Sequence, residues 1–164
     1  MKTLLTIGLS LLLCVTTSFA DETTQEKSGI EALSPELRDL LKKEMSALQE
    51  GMMSIIPAYI SGNWQEIETI SLKMKNSYIL KQNITKKQIQ ELHSSLPNEF
   101  IKKDKEFHYL AGMLNHAAEN KKSELIGFYY SKLSESCVSC HSQYATHRFP
   151  SFNMDQETKA EHAH

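Results

Sequence analysis

Two thiols and an imidazole stand within five residues of one another in Cys137-Val138-Ser139-Cys140-His141. Residues three apart share a face of a helix, so both sulfurs would stand side by side, with His141 one turn on from Cys137. Thiols at that spacing can form thioethers to the two vinyl groups of one porphyrin, and a neutral imidazole directly after them can give the iron an axial nitrogen. The string is the attachment pattern of a c-type haem. Three other chemistries use a Cys-x-x-Cys pair. A redox-active pair normally follows a strand in a βαβ setting, whereas no segment here alternates with period two. A structural zinc site needs two further ligands, and His147 is the only nearby candidate besides His141. A disulfide across two helical residues would be strained and would close almost no loop. The expected chemistry is therefore one covalently bound haem c, held by Cys137 and Cys140, with His141 on the iron.

The start of the chain bears on the compartment. Lys2, the apolar run Leu4 to Val15 and the small-residue end Ser18-Phe19-Ala20 have the order of a cleaved secretory signal over residues 1–20, leaving a mature chain from Asp21 in the periplasm. The apolar run is too short to span a bilayer, so no stable membrane insertion is expected. Leu13 before Cys14 is too bulky for a lipoprotein site. The mature chain then holds two cysteines, both in the motif.

With 164 residues the chain is long enough for one compact core. Its net charge is only -2, with acids and lysines interspersed, which argues against nucleic acid as a partner. Ser34-Pro35 starts a long helix with an apolar stripe from Leu37 through Met45 and Met52 to Tyr59, which Pro57 should bend or end. Asn63 and Glu66 open a second helix that carries Ile67, Ile70, Met74 and Tyr78 and fades near Lys81. Thr85 and Gln88 cap a short helix that Pro97 closes, and a third long helix carries Phe107 to Ala118. The fourth puts Leu125, Phe128, Tyr129, Leu133, Cys137, Cys140 and Tyr144 on one side and stops by Pro150. Trp64 reads as a packing anchor, and His108 and His116 as ordinary histidines. The expected fold is all-α, an antiparallel four-helix bundle over residues 34–150, with a flexible leader at 21–33 and a loose tail at 151–164.

In such a bundle the fourth helix runs against the first, and His141 lies about 10 Å from the fourth helix's end. Met45 lies about 15 Å into the first helix and Met52 about 26 Å, so Met45 is the better placed to meet the iron from the other side. A thioether is an established partner of His in cytochromes. Tyr144 and Phe149 are expected near the haem's proximal side.

The motif near the C-terminus, with the aromatic Tyr144 three residues after His141, resembles the class II cytochromes c, the family of cytochrome c′, over roughly residues 35 to 150. Met45 followed by Met52-Met53 is similar to the low-spin branch, in which a helix-1 Met is the sixth ligand. The resemblance departs at Ala145, where family members often carry a basic residue. It implies an electron carrier rather than an enzyme, with redox proteins as partners and homodimers through helices 1 and 2 as an option. A five-coordinate relative binding nitric oxide or carbon monoxide is the alternative; a peroxidase would lack a distal acid-base pair. Around the haem end the sequence gathers Arg38, Lys42, Lys43, Lys81, Lys86, Lys87, Lys102, Lys103 and Arg148, diluted by Asp39, Glu91, Glu99 and Asp104. Such a collar would steer an acidic partner.

Overall fold

A computed structural model describes residues 29–153. The expected signal segment, residues 21–28 of the leader and the tail from residue 154 lie outside the described residues. Among the described residues the fold is all-helical: a 3-10 turn at Gly29–Ala32, then α1 (Pro35–Ile60), α2 (Trp64–Asn76), α3 (Leu80–Asn83), α4 (Lys86–Ser95), α5 (Asn98–Glu119) and α6 (Ser123–Tyr144). Residues 29–33, expected in the leader, pack on the fold: Leu33 is buried and Ile30 packs beside it.

Local chemistry accounts for most of the helix ends. Pro35 occupies the first turn of α1, where a missing N–H costs nothing. Ser34 stands at the N-cap, yet its side chain does not cap its own helix. Instead its hydroxyl donates to Glu91 Oε2 at 3.1 Å and its backbone N–H donates to the other oxygen, so α4 holds the start of α1. Pro57 does not end α1, which runs on to Ile60. The N–H that proline lacks would have met the carbonyl of Met53, a residue 67% exposed, where water can serve instead. Asn63 caps α2 by accepting from the Glu66 N–H at 3.3 Å, and Thr85 with Gln88 forms both halves of the capping box on α4. Trp64 packs against the core and meets Tyr59 edge-on at 6.0 Å.

The second helix stops at Asn76, earlier than the sequence suggests, and the cause lies on α1. Glu44 is 2% exposed, and its carboxylate accepts from Ser77 Oγ (3.0 Å) and from the backbone N–H groups of Tyr78 (2.9 Å), Ile79 (2.6 Å) and Leu80 (2.9 Å). Those donors can converge on one acid only if the backbone turns, which Ser77 does at φ 64°. Gly51, two turns further along α1, leaves room for the Tyr78 ring, since a Cβ there would collide with Tyr78 Oη.

The long helices pack α2 on α5, α5 on α6 and α1 on α2, while α1 and α6 touch only lightly. The apolar core is in two parts. One runs through Leu48, Ile55, Ile67, Met74, Phe107, Leu114, Ile126 and Leu133; the other joins Leu33, Leu37 and Leu41 of the α1 end to Leu96 and Phe100 at the start of α5. On α6 the inward line is Ile126, Leu133, Cys137, Cys140 and Tyr144, whereas Leu125 and Phe128, expected on it, are 47% and 51% exposed. At 100° per residue Leu125 falls outside the arc centred on Ile126 and Leu133. Met45 and Ile56 likewise lie on the flank of the α1 stripe rather than in it.

Two stability effects are expected. Glu44→Gln puts an amide N–H₂ among four donors and should lower unfolding free energy by about 2–3 kcal/mol in urea titration. His108 Nδ1 bonds the Met74 carbonyl at 2.8 Å, and Asp104, 3.6 Å from Nε2, holds the imidazole above its ordinary value against the opposing effect of burial. A raised folded value stabilises below the unfolded imidazole value and is lost as pH rises through the folded one. The difference in melting temperature between the parent and His108→Gln should therefore shrink as pH rises across that window; a constant difference would refute the assignment.

Candidate functional site

The half of α6 that carries the motif differs in burial from the half before it. Ile126 and Leu133 are fully buried, but after Leu133 no residue of α6 is, and the next buried position is Ala145 beyond the helix. Cys137 packs against the first part of the core, while Cys140 and Tyr144 pack against the second. The break in the core thus falls between the two thiols. Beside it Val138 is 53% exposed, Met45 39% and Phe149 40%.

The side chains of the motif are held from several elements. Lys103 Nζ on α5 donates to Ser139 Oγ at 2.7 Å, pinning the residue between the thiols, and Tyr144 meets Phe100 edge-on at 5.2 Å. Burial pushes the Cys137 thiol above its ordinary value; burial and then the nearby Asp104 carboxylate do the same to Cys140, with Lys103 opposing. Both sulfurs are free of a disulfide and are held as neutral thiols, which is not how a redox-active cysteine pair is kept. The His141 ring stacks on Phe149, with centroids 4.6 Å apart and planes 18° apart. Burial, and then the Arg148 charge, lower its tendency to protonate, so the neutral imidazole that ligates metal is favoured.

Met45 is placed by register rather than by contact. Tyr59 Oη, near the end of α1, donates to the Ser123 carbonyl at 3.1 Å and lies against Gly127, where a Cβ would stand 3.3 Å away. At the other end Leu37 and Leu41 share a cluster with Cys140 and Tyr144, so α1 and α6 are antiparallel. Stepping back from Tyr59 by two sevens, about 21 Å, reaches Met45 on the same flank. The same step along α6 from Ser123 to Gly127 reaches Cys137 to His141, while Met52 meets only the level of Tyr130 to Ser134.

Other candidates fall elsewhere. His108 is engaged with Met74 and Asp104, and His116 is an exposed neighbour of Glu119. Among the described residues no three His, Cys, Asp or Glu side chains gather to hold an ion. A shallow cleft of about 430 Å³ opens on α1, between Asp39, Lys42, Lys43, Glu50 and Ile79, and contains no residue of the motif.

No family model, curated protein or solved structure matches the chain. The site therefore stands on its own residues: paired thiols on one face of α6, a neutral imidazole one turn on and a methionine of α1 at their level, a set that could hold a covalently attached haem. Sequence reasoning missed Glu44, Glu91 and Lys103, whose parts depend on partners 33 to 57 residues away. With the unloaded protein at neutral pH, a disulfide reagent is expected to label both thiols at least about tenfold more slowly than in denaturant. Equal rates would show that neither burial nor the raised thiol values protect them.

Proposed function

We propose that the chain is an exported monohaem c-type cytochrome that carries electrons between proteins. The observation that carries this reading is the Cys137-Val138-Ser139-Cys140-His141 string on the half of α6 beyond Leu133, which holds no fully buried residue, at the level of Met45 on an antiparallel helix. In this reading α1, α2, α5 and α6 form the four-helix bundle, and α3 and α4 are an insertion that closes its haem end. Cys137 and Cys140 form the thioethers, His141 gives the proximal nitrogen and Met45 the distal sulfur. A haem so held supplies a reversible one-electron change at iron, with no coordination position left for a substrate.

The residues around it have separate tasks. Phe149 fixes the plane of the His141 imidazole, and Arg148 with burial keeps that ring neutral. Lys103 and Phe100 set the position of α6 against α5, and Glu91 and Glu44 fix the start of α1 and the chain that packs on it. The Tyr59 hydroxyl and Gly127 set the α1–α6 register on which Met45 depends.

A second reading, a five-coordinate iron that takes up nitric oxide or carbon monoxide, is favoured by one observation: Met45 is 39% exposed rather than seated in the core. The visible spectrum of the holoprotein separates the two. A low-spin spectrum with a weak far-red band, unchanged by carbon monoxide, is expected for the parent, and Met45→Leu is expected to become high-spin and to bind carbon monoxide. A parent that is already high-spin and forms the adduct readily would replace the carrier with the gas-binding protein.

A further inference from the structure

His108 stands between two acceptors. Its Nδ1 lies 2.8 Å from the Met74 carbonyl and its Nε2 3.6 Å from Asp104 Oδ1. A carbonyl only accepts, so Nδ1 carries a proton, and in the neutral ring Nε2 then turns a lone pair towards the Asp104 carboxylate. The imidazolium alone gives each neighbour an N–H. The charged groups around the ring act in the same sense: Asp104 on its own helix and Glu44 on α1 both favour the cation, against burial. From α2 comes the Met74 carbonyl, and the Lys75 side chain lies against Gly112, one turn further along α5. On the α6 side Lys103 donates to Ser139 Oγ at 2.7 Å, and Cys140 is held as a neutral thiol.

This pair is tied to the motif. Phe100 meets Tyr144 and Lys103 meets Ser139, so α5 and α6 are antiparallel and Asp104 falls at the level of Cys140, with His108 one turn further along. After burial, Asp104 is the strongest influence on the Cys140 thiol. We infer that His108 and Asp104 form a proton site linked to the haem: proton binding at His108 Nε2 and electron binding at the iron strengthen each other. With a proton on His108 the Asp104 charge is cancelled, which favours the less positive, reduced iron; without it the carboxylate is uncompensated and favours the oxidised iron. Linkage works both ways, so as the iron passes from ferric to ferrous with an electron from the donor, the Nε2 lone pair takes a proton from solvent. When the acceptor removes the electron, the proton returns to solvent. The inference rests on the haem reading and adds to it a pH dependence that a simple carrier does not require.

The test uses the full holoprotein, its covalent haem first verified by mass and spectrum. Its reduction potential is measured against pH, and the His108 ring resonances are titrated in both oxidation states. The ring is protonated below a window that lies above the ordinary imidazole value and neutral beyond it, so the potential is expected to fall between two plateaus as pH rises through that window. Proton affinity at His108 should be about threefold higher in the ferrous than in the ferric protein. His108→Gln is expected to remove the fall, and Asp104→Asn, which keeps the imidazole, to move it to lower pH. His116→Gln, which changes the exposed imidazole beside Glu119 at the end of α5, should leave it in place. In the haem-free chain the His108 ring is expected to titrate above its ordinary value, and at lower pH in Asp104→Asn. Resonances that titrate alike in both oxidation states, a fall in potential that persists in His108→Gln, or a haem-free ring that titrates no higher than usual would overturn the proton site and leave the haem reading standing. Absence of covalent haem would overturn both.

Discussion

An α-helix returns to the same side after three and four residues, and on α6 that periodicity sets Cys137, Cys140 and His141 together along one edge. Where this edge points is decided by the helix packing: α5 grips α6 through Lys103 and Phe100, while α1 lies only lightly against it. The weak contact is on the side that Met45 shares. On the proposed reading, that lighter contact is what would leave room for a planar group between α1 and α6. Here the core itself is divided, with one thiol against each part.

The polar interactions serve that geometry at a distance. Glu44 is a buried acid on an otherwise apolar stripe, and three of its four donors come from the chain between α2 and α3 and the fourth from Leu80 at the start of α3. Buried carboxylates are costly unless fully paired, and this one is, so it fixes one arrangement of the connecting segment rather than many. Glu91 does comparable work where α4 meets the start of α1. Together they close the end of the molecule at which Tyr144, Cys140 and Leu37 meet.

Much of this was legible in the residues. Pro35 and the caps at Asn63 and Thr85 mark helix starts because they act within one turn, and the apolar spacing of Phe107 to Ala118 needs no partner to be recognised. The motif itself is local, and the haem chemistry proposed for it rests on its spacing. What escaped depends on distant partners: the early stop of α2 is imposed by Glu44 on another helix, and Ser34's side chain is taken by Glu91 rather than by its own backbone. Pro57 stays within α1 because the carbonyl it deprives is at an exposed residue. The placement of Leu125 and Phe128 failed because a wide apolar arc on α6 hides which part of it faces inward.

The most direct measurement is the intact mass of the mature protein exported from a host able to attach haem to Cys-x-x-Cys-His strings. The account predicts the mass of one porphyrin added to the chain, absent from a Cys137→Ala/Cys140→Ala variant exported in the same way. A mature parent chain carrying no covalent porphyrin would contradict it.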